Sequence, residues 1–293
     1  MTRALRFTFA TRLFLVSCLL AGAAATADAQ YRPLPQSSTP TKTSSGSGST
    51  DPINEPYHVE VAFNLWNPVP QFIVSSESLG IPGSNIDVQA DLNVQQKQMY
   101  EIRLVLRPGK HHKIRFNYLP MAYTGQTTLK TDIIFNGIKF PVSADVATDF
   151  RWNTYRFGYE GDFVSRHWGY IGMIIEAKYT DARVELNAPI IGREFVQARA
   201  PIPAIGLAAR VYPVKWVAIT GEFTAFKLPK GIQGVPTGTE AHYFDWDING
   251  TVNFTHNFGV EVGYRTLDLR YSVEKDNGQA RLKGMYFGGI ARF

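Results

Sequence analysis

Between Phe244 and Phe254 the side chains change character at every step. Phe244, Trp246, Ile248, Val252 and Phe254 fall on one face, and Asp245, Asp247, Asn249, Thr251 and Asn253 fall on the other. Successive side chains of an extended chain point to opposite sides, so this alternation predicts a strand with one apolar and one hydrated face. A helix would instead repeat its apolar positions every three or four residues. The pattern recurs along the chain. Tyr100, Ile102, Leu104 and Leu106 alternate with Glu101, Arg103 and Arg107; Ile114, Phe116 and Tyr118 alternate with Arg115 and Asn117. Ile171, Met173, Ile175, Ala177 and Tyr179 alternate with Glu176 and Lys178, and Val260, Val262 and Tyr264 with Glu261 and Arg265. Such strands must shelter all their apolar faces at once, against a second sheet or in lipid.

Composition favours lipid. Aromatic residues make up 13% of the chain, yet mean hydropathy is slightly negative at -0.15. A membrane barrel hides in this way, because each strand shows lipid one face and a wet lumen the other, and hydropathy averages out. Aromatic side chains on the apolar face, with carboxylates and amides opposite, fit that arrangement better than a soluble sandwich. The connections also sort into two lengths. Residues 107–112, 165–169, 212–215 and 255–257 read as tight hairpin turns. Around residues 67–97, 122–146, 186–202 and 229–242 the links are long and polar. Alternating short and long connections predict an antiparallel all-β transmembrane barrel of about ten strands (8–12), with short periplasmic turns and long extracellular loops. Strand starts are expected near Tyr57, Lys97, Lys113, Asp149, Trp168, Pro203, Trp216, His242, Phe258 and Gln279. Residues 126–148 read as strand extensions standing above the membrane. Trp168, Trp216 and Phe258 beside the short turns, and Trp66, Tyr123, Tyr179 and Trp246 near the long loops, predict two aromatic girdles. Near Thr266 the apolar frame slips by one, to Leu267, Leu269, Tyr271 and Val273, which suggests a β-bulge.

The N-terminal region reads as an export signal. Arg3, Arg6 and Arg12 form a positive segment, residues 13–25 are apolar, and Ala27-Asp28-Ala29 offers a small-x-small cleavage site before Gln30. The apolar run of about 13 residues is shorter than the roughly 18–20 a spanning helix needs. Residues 1–29 are therefore expected to be a cleaved signal peptide. A lipoprotein-type cut at Leu15-Val16-Ser17-Cys18 would leave the apolar run continuing beyond it. Cys18 is the only cysteine, so the mature chain would have neither disulfide nor thiolate chemistry. Residues 30–56 are rich in Pro, Ser, Thr and Gly and read as a disordered periplasmic lead; residues 57–293 form the barrel. Losing three Arg and one Asp with the signal takes the net charge from +5 to +3, too mild to argue for nucleic acid.

The stretch 283–293, Lys-Gly-Met-Tyr-Phe-Gly-Gly-Ile-Ala-Arg-Phe, alternates up to the terminal Phe293 and resembles the closing strand of a bacterial outer-membrane barrel. Ser78-Leu-Gly-Ile, residues 86–92 (Ile-Asp-Val-Gln-Ala-Asp-Leu), 100–107, 109–118 and Tyr155-Arg-Phe-Gly-Tyr159 are similar to a group of small, mostly uncharacterised Gram-negative outer-membrane β-barrels, porin-like in layout. The resemblance implies the cell outer membrane as location and Phe293 as the assembly signal. It also implies outer-membrane lipid and lipopolysaccharide, periplasmic chaperones and the barrel-assembly machinery as partners, a monomer, and no catalytic residue or cofactor. Ala291 and Gly289 are smaller than the usual closing-strand residues.

The expected lumen carries both signs: Glu60, Glu101, Arg103, Arg115, Arg156, Glu160, Glu176, Lys178, Arg210, Glu222, Asp245, Asp247, Glu261 and Arg265. Ten strands enclose little more than side chains, so these charges are expected to pair and plug the barrel. A structural or surface-interaction role would then fall to the outer loops. The alternatives are a narrow, weakly selective pore and a rim hydrolase. A pore selective by charge would show a ring of one sign. A hydrolase would rest on Asp245, Asp247 and His242 activating water. The omptin-type protease barrels use carboxylate and histidine pairs on opposite rim strands, and no matching Asp-Asp or Asp-x-His partner is found here. His111-His112 has no third ligand for a metal, and Ser165-Arg-His167 falls in a short turn.

Overall fold

The computed structural model describes residues 56–75, 83–229, 238–273 and 276–293. The expected signal peptide, nearly all of the lead segment and most of the 229–242 connection lie outside these residues. Ten antiparallel strands close a barrel: β1 (Val59–Trp66), β4 (Met99–Gly109), β5 (His112–Thr128), β8 (Asp145–Arg166), β9 (Gly169–Ala188), β10 (Gly192–Val214), β11 (Val217–Lys227), β12 (Glu240–Asn253), β13 (Phe258–Val273) and β14 (Asp276–Arg292). Closure is made by β1 against β14, in register from Glu60↔Arg292 to Trp66↔Tyr286. The backbone oxygen of Phe293 accepts from the amides of His58 and Val59 at 2.7 and 2.9 Å.

Two short strands prolong the wall. β2 (Val69–Ser75) continues along β14 beyond Pro68 and pairs on its other side with β3 (Ile86–Asp87). The remaining pair, β6 (Ile133–Phe135) and β7 (Ile138–Phe140), forms a separate hairpin. The expectation that residues 126–148 merely extend the wall is therefore corrected. β5 and β8 do extend, but residues 133–140 fold over the long-loop end, where Ile133, Phe135 and Phe140 are buried. The hairpin is held to the β2–β3 side, where Ser84 N donates to Ile134 O at 2.9 Å, and to β10, where Asn136 Nδ2 donates to Glu194 at 3.2 Å. The connection expected around 186–202 is also mostly strand, since β9 runs to Ala188 and β10 starts at Gly192.

Strand length explains the architecture. A membrane-crossing strand needs about 9–11 residues, but β8, β9 and β10 have 22, 20 and 23. Their halves nearest the short turns carry lipid-type patterning: Phe157, Met173, Ile205 and Leu207 point outward and are half or more exposed. Further toward the long loops both faces invert. Outward positions become Asp149, Arg151, Asp181, Arg183 and Arg199, while Phe150, Trp152, Val184 and Leu186 turn inward and are buried. Each strand thus passes from a membrane pattern to the apolar-inside pattern of a soluble protein.

This inversion accounts for the frame slip near Thr266. β13 stays in continuous register with both neighbours through that residue, and Leu267 is fully buried. There is no bulge: the apolar side chains change face because the solvent changes. The register irregularities lie beside short turns, at Leu106/Gly109, Asp162/Val164 and Val211/Val214. Two expected girdle residues are corrected for the same reason. Trp66 and Tyr123 are buried inside the barrel, whereas Trp168, Trp216, Phe258, Tyr179 and Trp246 are exposed on its outer surface.

β4 is short, so the far end of β5, paired with β8 on one side, has no strand on the other. Residues 88–94 fill the gap: Asn93 Nδ2 donates to Gln126 O at 3.3 Å, with Val88, Leu92 and Val94 buried. A Cβ on Gly125 would lie 2.3 Å from Leu92 O, a backbone atom. Gly125→Ala is expected to lift this segment off the wall at a cost of about 1–3 kcal/mol. Limited proteolysis should register faster cleavage between residues 88 and 98; unchanged cleavage would mean the segment does not depend on this contact.

Candidate functional site

The charges expected from the sequence meet in the barrel interior, which the same inversion divides into two layers. The layer nearer the short turns is ionic. Asp245 on β12 is its centre, accepting from Arg265 of β13 at 2.8 Å, Lys178 of β9 at 3.1 Å and Arg156 of β8 at 3.2 Å. Arg265 also reaches Glu101 of β4 at 2.5 Å, and Glu176 lies 3.1 Å from Arg156 and 3.0 Å from Lys178. A second group joins Arg115 to Glu160 at 2.7 Å and to Glu222 at 2.5 Å, and Lys113 to Glu160 at 2.8 Å and Asp162 at 3.0 Å. Arg103 pairs with Glu261, which also accepts from Asn64 at 2.6 Å. These residues meet because alternation sends every second side chain of each strand inward, and the register sets their height.

Burying a charge is costly unless it is paired and hydrogen-bonded. Asp247 is the exception in this layer. Among the described residues no cation lies within ion-pair distance of it, and its carboxylate accepts instead from Tyr286 Oη at 2.8 Å and Asn249 Nδ2 at 2.9 Å. Aromatic faces complete the shell of the cations: the Lys178 Nζ lies 4.0 Å from the Tyr243 ring centre and the Lys113 Nζ 3.3 Å from that of Tyr170. The cavity between Arg103, Arg115, Glu222, Asp247 and Arg265 measures ≈ 30 Å³, room for about one or two waters.

Arg210, expected in the same network, sits lower. It lies 3.7 Å from Glu60, which pairs with Arg292 at 2.7 Å, and it donates to Thr220 Oγ1 at 2.9 Å. Tyr57 is buried here, its ring 5.2 Å from the Arg292 guanidinium carbon and 5.8 Å from that of Arg107. Lys113, Asp162 and Arg292 were not singled out from the sequence. Lys113 and Asp162 follow inward parity beside turns, where Arg107, Pro108 and Gly109 or a bulge at Asp162 obscure it; Arg292 follows the unbroken alternation of β14.

The second layer, toward the long loops, is apolar. Phe72 lies 4.4 Å from Phe150, 5.8 Å from Tyr123 and 6.2 Å from Trp152 between ring centres. Leu119, Met121, Val146, Val184, Leu186, Leu267 and Leu282 surround them, and residues 88–94 and the β6–β7 hairpin supply Val88, Leu92, Val94, Ile133, Phe135 and Phe140. A continuous apolar core therefore lies above the ion pairs.

The residues considered for hydrolysis are not brought together. Asp245 and Asp247 face inward. His242 lies on the outward face of β12, its ring 5.4 Å from Phe244 and its Nε2 4.0 Å from the outward Asp268. The parity of the strand separates the histidine from both aspartates, and Asp245 is already held by three cations. His112 Nδ1 meets the Tyr159 hydroxyl at a short turn.

No family model and no curated protein matches this sequence. Solved structures do match its fold. The outer membrane protease OmpT from Escherichia coli is 10% identical, with 82% of this chain and 98% of that one covered and a TM-score of 0.54. Ail, the attachment invasion locus protein of Yersinia pestis, solved with the heparin analogue sucrose octasulfate, is 8% identical over 80% of this chain and 99% of its own, with a TM-score of 0.36. The toluene transporter TodX of Pseudomonas putida is 7% identical over 85% of this chain and 94% of that chain, with a TM-score of 0.35. At such identities the likeness to OmpT is one of fold, and the fold shared is the closed ten-stranded antiparallel barrel of outer-membrane proteins.

Proposed function

We propose that this chain is an outer-membrane β-barrel sealed along its length, with a structural or surface-interaction role carried by its long-loop end. The observation that carries the reading is the double filling of the interior: a paired ionic layer and, above it, a continuous apolar core. A conducting path needs connected water, and an interior filled by paired charges and an apolar core is expected to interrupt it. The outward belt of Phe63, Phe157, Met173, Ile205, Trp246 and Phe287 is exposed and suits lipid. The short turns then face the periplasm and the β6–β7 hairpin the exterior. Phe293, whose side chain is exposed beside Phe258 at the closing seam, suits recognition by the assembly machinery.

The test is conductance of the refolded mature chain in planar bilayers. Silence is expected, and Arg103→Ala should stay silent too, since losing the partner of Glu261 opens one layer and leaves the apolar one closed. Discrete steps in the unmodified protein would overturn the sealed reading and make this a small pore.

A further inference from the structure

The outward surfaces of the extended strands differ around the barrel. On β8, β9 and β10 each outward arginine above the lipid belt has a carboxylate: Arg151 with Asp149 at 2.8 Å, Arg183 with Glu185 at 2.8 Å, Arg193 with Glu185 at 2.9 Å and Arg199 with Asp181 at 3.0 Å. On β11 to β14 the balance fails. Lys227, His242 and Arg270 stand directly opposite one another on three adjacent strands, a row with no acidic member. Asp268, one pleat nearer the belt, is shared: Arg281 reaches it at 2.6 Å, Arg270 at 3.8 Å and His242 at 4.0 Å. Lys283 is exposed on β14 opposite Thr266, two pleats nearer the belt than that row, and among the described residues no carboxylate lies in ion-pair range of Lys227 or Lys283. The outward acid above, Glu240, is one pleat beyond His242.

Lysines and arginines gathered on one face around a single shared carboxylate repel one another unless a counter-charge neutralises them. The exposed aromatics Phe223, Phe244 and Trp246 lie beneath Lys227 and His242 and in register with Arg281 and Lys283, so the cluster borders the upper edge of the lipid belt. We propose that this basic cluster binds the phosphate of a phosphorylated lipid of the outer leaflet, whose acyl chains run down over those aromatics. The inference rests on the outer-membrane reading above. Arg270 and Arg281 supply guanidinium donors suited to phosphate oxygens, and Lys227 and Lys283 add point charges on either flank. The occupant is a lipid rather than a free anion because the cations border an apolar face, where chain burial and charge act together.

The test compares phosphatidylcholine vesicles with and without lipid A, using the refolded chain, the variant Lys227→Gln/Arg270→Gln/Lys283→Gln, and the opposite-wall control Arg151→Gln/Arg193→Gln/Arg199→Gln. The first variant leaves Arg281 on Asp268, so the fold keeps its carboxylate partner. Native mass spectrometry should find lipid A retained by the unmodified protein. The first variant should lose about 100-fold in lipid affinity, each surface cation contributing roughly a factor of five, and the control should retain it. Equal retention by the cluster variant, equal loss in the control, or displacement of the lipid by inorganic phosphate would overturn the site. Failure of the unmodified chain to give a heat-modifiable folded band in either vesicle would overturn the membrane reading itself, and the site with it.

Discussion

Asp245→Ala is expected to destabilise the folded barrel by about 3–5 kcal/mol, because removing one partner from a buried ion pair leaves uncompensated charge behind. Here it leaves three: Arg265, Lys178 and Arg156 converge on this one carboxylate. Arg265 and Arg156 keep Glu101 and Glu176, and Lys178 keeps Glu176 and the Thr224 hydroxyl at 2.8 Å, which limits the loss. The internal comparison is Asp247→Ala, two residues along the same inward face. That change removes an acceptor from Tyr286 and Asn249 but from no ion pair, and should cost about 1–3 kcal/mol, the penalty of unsatisfied buried donors. Urea titration of the refolded protein, followed by its heat-modifiable gel band, separates the two. Equal losses would mean that burial of any carboxylate on β12, rather than the convergence of cations on Asp245, governs stability.

Most of the barrel was legible in the sequence because alternation is a local signal. Parity alone places Glu101, Arg103, Glu176, Lys178, Asp245 and Arg265 inside, and register then decides which of them meet. Parity also shows that His242 cannot join Asp245 and Asp247, a consequence that their closeness in sequence obscures. What escaped the sequence reading depends on solvent rather than on periodicity. Trp66 and Tyr123 look like girdle residues when a strand is taken to lie wholly in lipid, yet they stand where apolar side chains belong inside. Leu267 and Leu269 look like a bulge for the same reason. Residues 133–140 read as strand, but nothing local shows that they fold over the barrel end; Leu92 sits in polar, turn-rich surroundings, and only the gap left by short β4 reveals what residues 88–94 cover. The tight turn between β9 and β10 was missed because above the membrane the outward face of those strands is polar, which reads as loop.

The apolar layer makes the second large prediction. Phe72→Ala should cost about 3–5 kcal/mol, the range for deleting a fully enclosed phenyl ring. Phe72 touches Tyr123, Phe150 and Trp152, so its loss opens a cavity walled by three rigid rings on two strands. Its backbone oxygen also accepts from Val88 N at 3.0 Å, which ties β2 to residues 88–94, and the loosened ring cluster should release that segment. The loss should therefore be local: faster proteolysis at the long-loop end, while the barrel below, with its ion pairs intact, keeps its heat-modifiable band. Phe157→Ala is the control, since that ring is 63% exposed on the belt and its removal leaves no interior cavity. If the two variants lost stability equally in detergent, the apolar layer would be packing no tighter than the lipid-facing surface. The proposed seal would then rest on the ion pairs alone. If Phe72→Ala alone is labile at the long-loop end, that half of the barrel behaves as a soluble core built on a membrane-spanning base.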